Sequence, residues 1–70
     1  MNEKKIKQLL ASQSTKRLVD LFEASDEVKD EDVYTVRGWL LDELEIRDKE
    51  AFELFLDSNE SSPRKFFLKD

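Results

Sequence analysis

Asp42, Glu43 and Glu45 are the side chains in this sequence that come nearest to a general acid–base set. Paired carboxylates act as acid and base when burial drives their pKa values apart inside a pocket. A chain of 70 residues has little room for such a pocket, and buried Asp and Glu are rare. The three are therefore read as a solvated acidic face. The sequence has no His and no Cys, which removes the usual base-and-nucleophile pairings and the Cys/His zinc sites. Gly38 is the only glycine, so neither glycine-rich phosphate motif is present. No catalytic, cofactor-binding or metal-ligating residue is assigned, and the chain is not expected to be an enzyme.

The acidic run SDEVKDED, residues 25–32, is the second candidate for chemistry. A calcium-binding EF-hand loop needs oxygen ligands at positions 1, 3 and 5, glycine at 6 and glutamate at 12. Counted from Asp26, the third position is Val28 and the sixth is Glu31. Counted from Asp30, the fifth is Tyr34 and the sixth is Thr35. Both registers fail. Asp30, Glu31 and Asp32 instead suit the start of a helix, where carboxylates meet free N–H groups and the positive end of the dipole.

Nucleic-acid binding is the third. Residues 1–20 carry five basic and two acidic side chains, residues 21–62 four and fourteen, and residues 63–70 three and one. The chain is thus basic at both ends and acidic in the middle. A recognition helix carries donors for base edges and cations for phosphates. The helix expected after the acidic run carries Asp42, Glu43 and Glu45 against Arg37 and Arg47. Lys4, Lys5, Lys7, Lys16 and Arg17 could touch phosphates, and the blander reading is that they are the solvated sides of two helices or pair with the protein's own acidic middle. Nucleic acid is not expected as a partner through the central helix.

The elements follow from periodicity. Ile6, Leu9 and Leu10 make a one-sided stripe over residues 3–11. Leu18, Leu21 and Phe22 are out of phase with it, and the break falls at Ser12–Thr15, rich in N-cap residue types. A second helix is expected over residues 15–24, with Val19 beside its inward face. A third, residues 31–47, carries Val33, Val36, Leu40 and Leu44 on one side, Leu41 on the flank, and Trp39 and Ile46 on another side. A helix apolar on two sides usually has neighbours on both. Asp48 is an N-cap for a fourth helix, residues 49–57, with Phe52, Phe55 and Leu56 inward and Leu54 outward. Ser62-Pro63 fits N-cap followed by first helical residue, so Phe66, Phe67 and Leu68 are expected to fold back as a docked turn.

These elements make one small all-α bundle of three to four helices with a docked C-terminal turn. It is a single domain over residues 1–70, with residues 1–3 and 58–63 flexible. The expected core is Leu18, Leu21, Phe22, Val36, Leu40, Leu44, Phe52, Phe55 and Leu56. A domain this small is marginal without reinforcement, and disulfides are not available to it. No apolar run is long enough to span a membrane, and the first residues lack the apolar region of a signal peptide. A cytoplasmic protein with no membrane partner is expected.

Trp39 is read first as core, since Trp is usually highly buried, and second as an interface residue. Gly38 costs about 1 kcal/mol relative to Ala within a helix, which close approach of another backbone or ring would explain. The segment Tyr34–Glu45 (YTVRGWLLDELE) resembles segments of small bacterial proteins, some of them carried by mobile elements. It covers about a sixth of the chain and implies no activity. The expected function is a protein–protein interaction or regulatory module. Its surface falls on Gly38, Trp39, Asp42 and Ile46, and its partner is another protein or a second copy in a homodimer. The even alternative to the homodimer is that the first helix, with Ile6, Leu9 and Leu10, or the Phe66-Phe67 tail covers this side within one chain. The alternative is an acidic inhibitor that imitates nucleic acid, and a weaker one is nucleic-acid binding through the basic N-terminal region.

Overall fold

The computed structural model describes residues 2–68, so expected flexibility at residue 1 lies outside the described residues. Five helices follow in order: α1 Glu3–Ala11, α2 Thr15–Ala24, α3 Glu31–Arg47, α4 Lys49–Asp57 and α5 Arg64–Phe67, with a 3-10 turn at Ser25–Glu27 after α2. No strand occurs among the described residues. The fold is the expected all-α bundle with its C-terminal turn docked.

Side-chain caps set the starts of the four longer helices. Asn2, Ser14, Asp30 and Asp48 accept from the backbone N–H groups of Lys5, Arg17, Asp32 and Ala51 at 3.0, 3.1, 2.8 and 3.0 Å. Each cap satisfies one of the donors left free at a helix start. Asp48 also ends α3, in an extended conformation. One residue therefore joins two helices and turns the chain between them.

Helix α3 is the centre of the fold. It contacts α1, α2 and α4, while α5 rests on α2 and α4. Leu10, Leu18, Val19, Phe22, Leu40 and Leu44 form the buried cluster, and Ile6, Leu21, Val36, Trp39, Leu41, Phe55, Phe67 and Leu68 pack against it half-buried. Phe55 meets Phe22 edge-on at 6.3 Å between ring centroids and Phe66 at 6.1 Å, linking α2, α4 and α5.

Two residues depart from the expected inward stripes. Leu56 is 59% exposed, and so is Leu9. On α4 the buried residue is Ala51. Around a helix, Phe55 lies about 40° from Ala51 and Leu56 about 140°. The face that meets the core is centred on Ala51 and Phe55, which leaves Leu56 in water. On α1 the inward pair is Ile6 and Leu10, one turn apart, and Leu9 falls outside it.

Three arginines tie the elements together. Arg37 of α3 donates to the Phe22 carbonyl at 2.9 Å and the Ser25 hydroxyl at 2.8 Å, and lies 4.0 Å from the Phe22 ring centroid. Arg47, the last residue of α3, donates to the carbonyls of Leu10 and Ala11 at 3.3 and 3.1 Å. Each guanidinium thus meets carbonyls at a helix C-terminus, the negative end of the dipole. Arg64 of α5 forks onto Glu23 at 3.0 and 2.7 Å and also bonds Asp20, both on α2. The Ser62 hydroxyl donates to the same Glu23 carboxylate and accepts from the Arg64 N–H. Arg64, then Ser62, holds the Glu23 carboxyl down at about 2. Asp20 is lowered as well, by Lys16 first and then Arg64.

Two predictions follow from this packing. Leu44→Ala should lower stability by about 2–5 kcal/mol in urea unfolding, while Leu56→Ala should cost less than about 1 kcal/mol. The clamp on Glu23 should be pH-dependent. A carboxyl held below its ordinary 4.5 stabilises the fold fully above that pH and loses the contribution as pH falls towards 2. The difference in melting temperature between the wild type and Arg64→Met should therefore be largest at neutral pH, narrow below about pH 4.5 and close near pH 2. Solvent screening at these partly exposed groups keeps the difference small.

Candidate interaction surface

The second apolar side of α3 is built from residues one turn apart. At about 100° per residue, Gly38, Asp42, Ile46 and Trp39 fall in that order within about 100° of arc, and Glu43 follows. Helix α1 lies against the Trp39 edge of this arc. Together Lys7 and Leu10 of α1 and Trp39, Asp42, Glu43 and Ile46 of α3 line a surface cleft of about 240 Å³. Three of the four residues expected at the surface thus share one cleft, and Gly38, one turn before Asp42 on α3, is not part of its lining.

The cleft has an apolar floor and charged rims. Trp39 is half-buried and packs against the core cluster, so it serves both the core and the surface. Ile46 is 78% exposed, the most exposed large apolar side chain among the described residues. The Lys7 ammonium lies 5.8 Å from the Trp39 ring centroid, within cation–π range, and 3.1 Å from Glu3. Glu43 accepts from Arg47 at 3.1 Å. Asp42 is exposed and makes no salt bridge among the described residues.

Gly38 does not support the close approach expected within the chain. A Cβ built on it would find nothing within 4 Å, and its backbone is not in the positive-φ region. Inside one molecule this glycine relieves no contact.

Periodicity places Trp39 and Ile46 on a shared side, and of the two segments expected to cover it within one chain α1 is the one that lines the cleft. Lys7 and Leu10 complete the cleft because α1 crosses α3 there, a long-range contact with no local signal. A second, more apolar cleft of about 250 Å³ opens elsewhere along α3, lined by Leu10, Leu21, Ser25, Asp32, Val33, Val36 and Leu40. Leu10 borders both clefts. Val33 and Val36, expected on the main inward stripe, are half-buried at this second opening.

The three carboxylates Asp42, Glu43 and Glu45 do not meet as a buried pair, since no charged side chain is buried among the described residues. Nor, among those residues, do three or more Asp or Glu side chains converge as a metal site would require. No described helix is long and apolar enough to cross a membrane. No family model matches the chain, and no curated protein or solved structure matches it.

Because a side chain at Gly38 has open space and an ordinary backbone, Gly38→Ala should stabilise the isolated chain by about 0.5–1 kcal/mol through helix propensity and reduced freedom of the unfolded state. Chemical denaturation measures it. A loss of stability would mean that the position is sterically committed inside one molecule.

Proposed function

We propose that this chain is a non-enzymatic protein-interaction module whose partner is received in the cleft between α1 and α3. The observation that carries the reading is Ile46, 78% exposed beside a half-buried Trp39. Fully burying a large aliphatic side chain is worth about 1.5–3 kcal/mol. A chain this small forgoes that gain at Ile46 while it buries Leu40 and Leu44 of the same helix. Trp beside an aliphatic neighbour, with charges at the rim, is the composition of a binding hot spot.

A second reading, an acidic surface that imitates nucleic acid, draws on Asp26, Glu27, Asp30, Glu31 and Asp32, all exposed. Two of these are already occupied: Asp30 caps α3 and Asp26 pairs with Arg37 at 3.6 Å. That use inside the fold favours the first reading.

Ile46→Asp tests it. With helical content unchanged by circular dichroism, this variant should lose a protein that the wild type and a Leu54→Asp control both retain from an extract of the native cell. Leu54, 47% exposed on α4, is the matched apolar surface residue away from the cleft. Identical capture by all three chains would remove the cleft from consideration, and capture that added nucleic acid competes away would promote the second reading.

A further inference from the structure

We propose that the occupant of the α1–α3 cleft is a second copy of this chain, joined across a two-fold axis beside Gly38. The proposal rests on the reading of the cleft as an interaction surface and names its partner.

A two-fold contact places one patch against itself, so the patch must be complementary to its own image. A cleft of a single charge would repel its copy. This one has a cation, Lys7, and two carboxylates, of which Glu43 is already bonded to Arg47 at 3.1 Å and Asp42 is left to face a partner. Lys7 stands on the α1 side, over Trp39. Asp42 lies on the edge of the same arc away from α1, with no salt bridge among the described residues. The two-fold brings each Lys7 to the other copy's Asp42, twice over. Lys7 gives up little for this, since its bond to Glu3 is an exposed pair one helical turn apart.

Shape points the same way. Ile46 projects into solvent at 78% exposure next to a cleft of about 240 Å³. The same patch thus offers an apolar knob and a hole, and the axis inserts each knob into the other copy's hole. Gly38 lies on the Asp42 edge of the arc, with no atom within 4 Å of where its Cβ would be. A glycine that costs about 1 kcal/mol of helix stability and relieves nothing inside one molecule gains a use where two α3 helices approach closely. Specific interfaces take about 800 Å² from each partner, roughly a sixth of this chain's 5015 Å² surface. A contact of one helix face and its α1 rim is at the small end of that class, so the dimer forms at micromolar concentration or above.

Sedimentation equilibrium on the full chain tests this, from micromolar to several hundred micromolar concentration. The wild type should pass from 8.3 kDa to twice that mass. Lys7→Glu and Asp42→Lys should each weaken association by roughly tenfold, because each sets like charges face to face. Mixed in equal amounts, the two variants should associate as well as the wild type, since both cross-pairs are then opposite in sign. A wild type that stays monomeric throughout, or a mixture no better than either variant alone, overturns the proposal. If that happens while Ile46→Asp still loses a captured protein, only the dimer falls. If Ile46→Asp changes neither association nor capture, the cleft reading falls with it.

Discussion

Leu40 and Leu44, one turn apart on α3, are buried in the cluster shared with Leu18, Val19 and Phe22 of α2 and Leu10 of α1. Helices α1, α2 and α4 all contact α3, the helix that carries that seam. It must carry the domain without disulfide, and in a chain of 70 residues the area available is small. The guanidiniums of Arg37 and Arg47 add to the seam at its two ends. Each comes from α3 and reaches the last carbonyls of a preceding helix, α2 for Arg37 and α1 for Arg47. One helix thus buries the core leucines and closes the C-termini of two neighbours. The Arg64 fork onto Glu23 does the same service for the tail, holding α5 where Phe66 can meet Phe55.

The centrality of α3 has a cost that bears on function. A helix that meets neighbours on several sides needs apolar residues on several sides, and α3 has them. Helices α2 and α4 cover the leucine side. Helix α1 is nine residues long and reaches only part of the opposite side. It brings Leu10 into the core and Lys7 over Trp39, and it leaves Ile46 78% exposed. What is left uncovered is a cleft whose floor is continuous with the core. Binding there would reinforce α3 directly, which couples occupancy of the cleft to stability of the whole domain.

Much of this was legible in the sequence, and the pattern of what was not is physical. The four long helices were readable because Ser14, Asp30 and Asp48 are cap residues placed just before apolar residues at helical spacing, and both signals are local. Leu56 was misplaced because its spacing from Phe52 and Phe55 also fits an inward stripe. Only Ala51, too small to register as an apolar marker, shows that the buried face is turned the other way. The arginine ties were not legible at all. Arg37 bonds a residue 15 positions away, and Arg47 and Arg64 bond residues 37 and 41 positions away. Their roles inside the fold depend on helix-to-helix geometry that no single helix encodes. At the cleft, Trp39 and Ile46 were readable as a side of α3 and Leu10 as a residue able to cover it, while Lys7 was not, for the same reason.

The central claim is that α3 buries Leu44 and leaves Ile46 open to solvent at the cleft. Leu44 and Ile46 stand two positions apart on that helix, the first fully buried and the second 78% exposed. Methyl NMR of the dilute monomer with a soluble paramagnetic agent reads both directly. The account predicts strong relaxation of the Ile46 methyl groups and almost none of those of Leu44. Protection of Ile46 equal to that of Leu44 in the monomer would contradict it, because α3 would then be covered on both sides by its own chain and the cleft would not exist.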